Sequence, residues 1–263
     1  MGNSAALTGW IEQALLLAAA STRIAVAFML IPVFSTDIIP PMVRNSIFIS
    51  LGLVSFALQP ALGLGDMGVA DWVRLLVKEA FVGIGIGFFF GSILWALESA
   101  GQIIDTKVGA TIAQVIDPLS GHQTSLTGAF LGRLANLVFL FSGGLGLLVG
   151  VLIESYAVWP LSATWPHLAP AGALLFEREF ARLMLLATLF AAPILTVLFV
   201  VDVGLGLMNR FAQQLNVFQL SMGIKAWLST ALVILMLGTI VEAVVAEIGS
   251  RRMVVIEILR KVT

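Results

Sequence analysis

The sequence predicts an all-α membrane protein of about six long apolar helices, with a re-entrant segment between the third and the fourth. Three observations predict it. Of 263 residues, 59% are hydrophobic and only 11% charged, with a mean hydropathy of +1.05, whereas about 25% of a soluble domain is charged. Six apolar runs, at about 14–34, 46–64, 73–97, 130–153, 180–201 and 226–246, approach the ~20 residues a helix needs to cross hydrocarbon. Backbone in lipid must satisfy its own hydrogen bonds, so such runs are helices. Finally, the break after the third run turns polar, keeps a helical register, and stops at a turn. The chain, 1–263, reads as a single membrane unit.

Taken in order, the first run follows MGNSAALTGWIEQ, which has no Lys or Arg, so it is expected to be a retained span and not a cleaved signal. Arg23 lies inside it and must snorkel or pair with an acidic residue. The third run contains GIGIGFFFG at 83–91. It lacks the Lys-Ser/Thr and strand–turn–helix setting of a phosphate loop. Gly87 and Gly91 are instead spaced as a close-packing helix face, and Gly146 and Gly150 repeat that spacing in the fourth run. Arg133 opens the fourth run, within reach of a pairing with Asp105 or Asp117. The break at 154–179, with three prolines and two tryptophans between Ser155 and Gly172, reads as an irregular loop at the membrane interface. Asp202 ends the fifth run and reads as a helix end near the interface, with a functional intramembrane charge as the alternative. After the sixth run come Arg251, Arg252, Arg260 and Lys261, which place the tail in the cytoplasm by the positive-inside rule. With six spans the N-terminus lies there too.

Several function classes are disfavoured. Without cysteine there are no disulfides, thiolate metal sites or cysteine nucleophiles. His122 and His167 are too far apart in sequence for a ligand cluster, and a net charge of -1 gives no general attraction to nucleic acid. Glu98, Asp105 and Asp117 lack a companion nucleophile and oxyanion donor. We expect no catalytic residues, metal or cofactor.

Two clusters carry the function. In GQIIDTKVGATIAQVIDPLSG, residues 101–121, Gly101, Asp105, Gly109, Ala113 and Asp117 recur at every fourth position. On a helix this is one narrow, slowly drifting face, suited to a neighbouring helix or a pore axis. Carboxylates facing lipid cost on the order of 3 kcal/mol at a helix centre. Pro118 then disfavours helix at Asp117, and Ser120 and Gly121 favour a turn. The second cluster, NRFAQQLNVFQLSMGIK at 209–225, has five amides: Asn209, Gln213, Gln214, Asn216 and Gln219. With Phe211, Leu215, Val217 and Phe218 interleaved, it reads as a hydrogen-bonding contact between helices or subunits.

Together these clusters resemble the FliR/SctT family of export-apparatus subunits of bacterial flagella and type III secretion injectisomes. The residues that carry the resemblance are the Gly101–Asp105–Gly109–Ala113–Asp117–Pro118–Ser120–Gly121 pattern and Gln214-Leu215-Asn216-Val217-Phe218 followed by Lys225. The surroundings of Asp105 and the continuation after DPLSGHQ are more similar to the injectisome branch, SctT. The family has proline where this chain has Gln213 and Gly223, and losing both lets helix continue there. The resemblance implies a non-enzymatic subunit of an export gate in the bacterial inner membrane, within the secretion basal body. Its implied partners are SctR-like, SctS-like and SctU-like subunits, unfolded secreted proteins in transit, and membrane lipid, with no nucleic acid. It also implies that Gly109, Ala113, Asp117, Pro118, Ser120 and Gly121 form a plug or pore segment. Gly101, Asp105, Arg133, Gln214, Asn216, Phe218 and Lys225 become candidate subunit contacts. The alternative is a small-molecule or ion transporter that binds its coupling ion at intramembrane carboxylates, for which an inverted repeat is the expected signature.

Overall fold

The computed structural model describes residues 2–35, 39–57, 68–109, 125–163, 170–211 and 217–262. Side chains are described outside 2–12, 170–173, 217–218 and 252–262. Among the described residues every regular element is helical: α1 (Gly2–Met29), a 3-10 turn (Pro32–Phe34), α2 (Pro41–Ala57), α3 (Val69–Val108), α4 (Leu126–Phe141), α5 (Gly144–Val158), α6 (Pro170–Phe211) and α7 (Val217–Val262). They fall into two compact units. One comprises Met1–Gly91, Gly143–Arg178 and Gly249–Thr263; the other comprises Ser92–Ser142 and Glu179–Ile248.

In the first unit α1 is the central element. Glycines of α3 let that helix approach it closely. A side chain at Gly83 would meet the Arg23 carbonyl at 2.5 Å, and one at Gly87 would meet that of Ala27 at 2.7 Å. The face predicted around Gly87 therefore packs on α1 of the same chain. Among the described residues nothing approaches Gly146 or Gly150. Pro32 ends the helical run and starts the 3-10 turn, whose Phe34 packs edge-on against Phe28 with ring centroids 4.5 Å apart. Phe48 of α2 closes on Phe28 at 5.6 Å.

In the second unit the C-terminal part of α3 lies against α4. A side chain at Gly101 would sit 2.5 Å from the backbone of Gly128, so this crossing is backbone to backbone. Ala96, Leu183 and Ala187 form a small core between α3 and α6, flanked by Trp95 and Leu186. Arg182 of α6 pairs with Glu247 of α7 at 2.7 Å.

Four expectations are revised. Three described helices, α3 and the stretches Leu174–Phe211 and Gln219–Arg251, are long and apolar enough to cross a membrane. The run predicted at 130–153 is two helices, parted at Ser142 and Gly143. Gly143 takes φ +82°, a left-handed conformation that glycine adopts without penalty. This pair would add a fourth crossing only as a broken one, and the stretches Gln13–Met29 of α1 and Pro41–Ala57 are shorter apolar helical segments. Among the described residues the six-span count is therefore not confirmed. Second, the four-residue stripe is not one helix from Gly101 onward, because α3 stops at Val108 and Gly109 turns with φ +92°. Third, Asp202 does not end a helix: α6 continues to Phe211, since no proline follows Asp202 there and its charge is met by lysines. Fourth, the start of the 154–179 break is not a loop exposed at an interface. Helix continues to Val158, and Trp159 and Leu161 are buried because two buried cations need the carbonyl groups there.

Candidate functional site

The second unit brings together a polar junction at the point where α3 ends. Asp105 lies one turn before that end and is buried. Its carboxylate accepts hydrogen bonds from the Ser125 hydroxyl at 2.6 Å, the Thr127 amide at 2.9 Å and the Thr127 hydroxyl. Ser125 is the N-cap of α4, its hydroxyl also accepting from the Gly128 amide at 2.9 Å. A carboxylate at a helix N-terminus meets free N–H groups and the positive end of the dipole. One buried carboxylate thus starts α4 and binds it to α3. The chain leaves this place at Gly109, whose amide donates to the carbonyls of Asp105 and Thr106 at 3.1 and 3.2 Å, and returns to it at Ser125. Residues 110–124 lie between two ends held on the same carboxylate-bearing turn.

A second carboxylate holds the same end from another direction. Asp202 of α6 receives Lys107 of α3 at 2.8 Å and Lys225 of α7 at 3.0 Å, one on each oxygen. Lys225 also donates to the Lys107 carbonyl at 3.3 Å. That carbonyl is one of the last of α3, where a cation is favoured by the dipole and by the lack of intrahelical donors. Met222 side-chain atoms would lie 3.6 Å from a Cβ on Gly109, so α7 covers the exit as well. Three helices meet on Asp202.

The predicted site residues divide accordingly. Gly101, Asp105, Gly109 and Lys225 come together around the end of α3. Arg133 is exposed and does not pair with Asp105. Ala113, Asp117, Pro118, Ser120, Gly121, Gln214 and Asn216 lie outside the described residues, as does the side chain of Phe218. Gly223, one of the two positions where proline is expected from the resemblance, lies inside uninterrupted α7; Gln213 lies outside the described residues.

A further cluster in the first unit escaped the sequence reading. Arg23, fully buried, donates to Glu79 of α3 at 2.8 Å, to the Ser155 hydroxyl at 2.9 Å and to the Trp159 carbonyl at 2.9 Å. It also lies 3.9 Å over the Tyr156 ring. The Tyr156 hydroxyl in turn donates to the Ala20 carbonyl. Lys78 meets Glu79 at 3.2 Å and donates to the carbonyls of Pro160, Leu161 and Ala163 at 3.2, 2.8 and 3.1 Å. Both cations thus hold the C-terminal end of α5, the end that favours positive charge. Arg23 is marked in the sequence as a charge inside an apolar run; the further signal is the adjacent Lys78-Glu79 pair inside another apolar run. No group of three or more His, Asp or Glu side chains suited to a metal occurs among the described residues.

Comparison with known proteins gives this arrangement its family. Residues 14–250 match the model of bacterial export proteins, family 1. The chain is 35% identical over 218 residues to Yop proteins translocation protein T of Yersinia pestis, covering 81% of this chain and 82% of that protein. It is 33% identical over 216 residues to surface presentation of antigens protein SpaR of Salmonella typhimurium, covering 81% and 79%. Flagellar biosynthetic protein FliR of Bacillus subtilis is 29% identical over 222 residues, 83% and 84% of the two chains. Identity is thus higher to these secretion-system proteins than to the flagellar one. The chain belongs to the bacterial export protein family 1, the FliR/SctT family, and sits on its SctT side.

Proposed function

We propose that this chain is a non-enzymatic subunit of a type III protein export gate. In this reading it resides in the bacterial inner membrane, within the secretion basal body. It assembles with SctR-like and SctS-like subunits, with a SctU-like subunit docking onto them, and together they enclose the path of unfolded secreted proteins. The observation that carries the reading, beyond family membership, is the surface of α6 and α7. Only 22% of the most apolar window in each is buried within the chain, against 67% for α3. Along α6, Phe199, Val200, Val203, Leu207 and Phe211 are all exposed. Helices that are apolar on most sides need lipid or partner subunits around them.

In this reading 109–121 is the plug, with Gly109, Ala113, Asp117, Pro118, Ser120 and Gly121 as its residues. Gln214, Asn216 and Phe218 act at subunit contacts. Gly109 supports the assignment, because its left-handed turn directs the chain out of α3 at the base of that segment. The engagement of Asp105 and Asp202 within the chain supports a structural role over binding of a coupling ion, since their oxygens already have hydroxyl, amide or ammonium partners.

The test is co-expression. Alone, the chain is expected to aggregate or be degraded. Together with SctR-like and SctS-like subunits it is expected to elute from detergent as one large hetero-oligomer. Recovery of a folded, monodisperse monomer without partners would sink the proposal.

A further inference from the structure

Along α7 the exposed residues follow one another at steps of three and four. Leu220, Ile224, Trp227, Leu235, Glu242 and Val245 all lie on this row. Such steps keep to one helix face, and the opposite face is the buried one, with Lys225, Ser229, Val233, Ile240 and Val244. From Leu220 to Val245 the exposed row carries a single charge, Glu242. Its carboxylate has no hydrogen bond or ion pair among the described residues. Inward-facing carboxylates of the same unit are engaged: Glu247 with Arg182, and Asp202 with two lysines. One turn before Glu242, Gly238 is open, with nothing within 4 Å of the place a Cβ would take. Nearer the start of the row, Gly223 leaves a groove of about 670 Å³ beside Leu220, Ile224 and Trp227.

Three surroundings are available to this face, and its composition separates them. Lipid suits Trp227 and Leu235, which are 83% and 79% exposed. It does not suit a carboxylate, which is costly at hydrocarbon depth unless it faces protein or a water-filled cavity. Water suits Glu242 but not the contiguous apolar row on both sides of it. A second protein helix suits both, provided that it is apolar and brings a cation to Glu242. We propose that the Leu220–Val245 face of α7 docks an apolar helix of a partner subunit, and that a lysine or arginine of that helix pairs with Glu242. Gly238 fits this contact, because a residue without a side chain lets the partner backbone come close one turn from the carboxylate. The charge pair fixes register between two faces that are otherwise uniformly apolar. Trp227 and the groove at Gly223 give an apolar anchor about 22 Å away, from 15 residues at 1.5 Å each. The inference deepens the proposal of a gate subunit. It rests on that reading for the identity of the partner, and not for the docking itself.

The full chain is co-expressed with SctR-like and SctS-like subunits, and the yield of hetero-oligomer in detergent is measured. Glu242→Lys is expected to lower it by about tenfold or more, the scale on which one member of a desolvated interfacial charge pair acts. Glu242→Asp is expected to lose less than Glu242→Gln. Glu242→Leu separates the surroundings: a row that faces lipid keeps or gains yield, whereas a docked row loses it, because the partner's cation is left unpaired. A second measurement leaves Glu242 intact. A photoreactive amino acid at Leu235, in cells carrying the complete apparatus, is expected to attach to an apolar helix of another subunit, within about two turns of a Lys or Arg. Exchanging that cation for Glu is expected to restore the yield of Glu242→Lys. Attachment to lipid alone would overturn the docking, as would wild-type yield from Glu242→Lys or a yield kept or raised by Glu242→Leu. The two readings fail separately. A hetero-oligomer that forms equally well with Glu242→Lys keeps the gate subunit and rejects the docking. A wild-type chain that forms no such hetero-oligomer, yet attaches through Leu235 to a cation-bearing helix of another protein and loses that attachment in Glu242→Lys, keeps the docking and rejects the gate subunit.

Discussion

Asp105 is held by three donors from α4, and each bond to a charged acceptor contributes about 1.5–3 kcal/mol. Removing the carboxylate also leaves the Thr127 amide in the first turn of α4 without its acceptor, although Ser125 still caps the helix. Asp105→Ala is therefore expected to lower the thermal stability of the assembled complex by about 2–3 kcal/mol, read as an earlier melting transition in detergent. Asp105→Asn, which keeps one acceptor, should lose less. Gly101 is constrained by space, not by charge. With Gly128 backbone 2.5 Å from its missing side chain, Gly101→Leu is expected to abolish recovery of folded complex, because backbone rather than a pliable side chain would have to move. Gly146→Ala, at a position with nothing within 4 Å, is the control and should leave recovery unchanged. Gly109→Ala faces a backbone obstacle, since φ +92° costs a non-glycine residue roughly 1–2 kcal/mol. If 109–121 is the plug, that change should raise solute leakage while assembly persists; conductance of membranes carrying the full apparatus measures it.

At the scale of elements, α1, α3 and the end of α5 are joined by Arg23, Lys78 and Glu79. The cluster carries two cations and one anion, and the remaining charge is met by carbonyls at the negative end of α5. Breaking a buried pair by removing one partner costs about 3–5 kcal/mol, because the other charge is left uncompensated. Glu79→Gln is therefore expected to reduce the protease-resistant population severely. Pairing it with Arg23→Met should recover part of that loss, since an apolar replacement of similar volume removes the orphaned charge. No change in protease resistance for Glu79→Gln would mean that the cluster does not hold these helices together. By sequence Arg23 either snorkels or pairs with an acidic residue, and no partner can be named. The partner is 56 residues away in sequence, and helical periodicity has no reach over that distance.

For the whole molecule, the contrast between a well-covered α3 and thinly covered α6 and α7 sets the expectation for behaviour outside its assembly. Apolar burial contributes roughly 25 cal/mol per Å², and the exposed faces of α6 and α7 leave that contribution to lipid or to partner subunits. The basic tail after the sixth apolar run, with Arg251, Arg252, Arg260 and Lys261, is expected on the cytoplasmic side. A reporter active only in the cytoplasm, fused after Thr263, should be active in cells carrying the complete apparatus. Inactivity there, with activity of a periplasmic reporter at the same site, would reverse the orientation.

Composition alone determined that this is an apolar, helical protein, because 59% hydrophobic content with so few charges leaves helices as the way to satisfy backbone in lipid. Local spacing marked Gly87 and Gly101, which pack closely, but equally Gly146 and Gly150, which nothing approaches among the described residues, and the motif around Asp105 and Lys225 pointed to the family. Only the tertiary structure decided what the charges do. Asp202, read as a helix end, is the meeting point of three helices; Arg23 and Lys78 anchor the end of α5; Asp105 starts α4. It also decided that the fourth apolar run is two helices and that α3 stops at Gly109. Apolar content and period are properties of a short window, so they are written in the chain. The choice of partner for a buried charge depends on which helices pack side by side, and no window contains that.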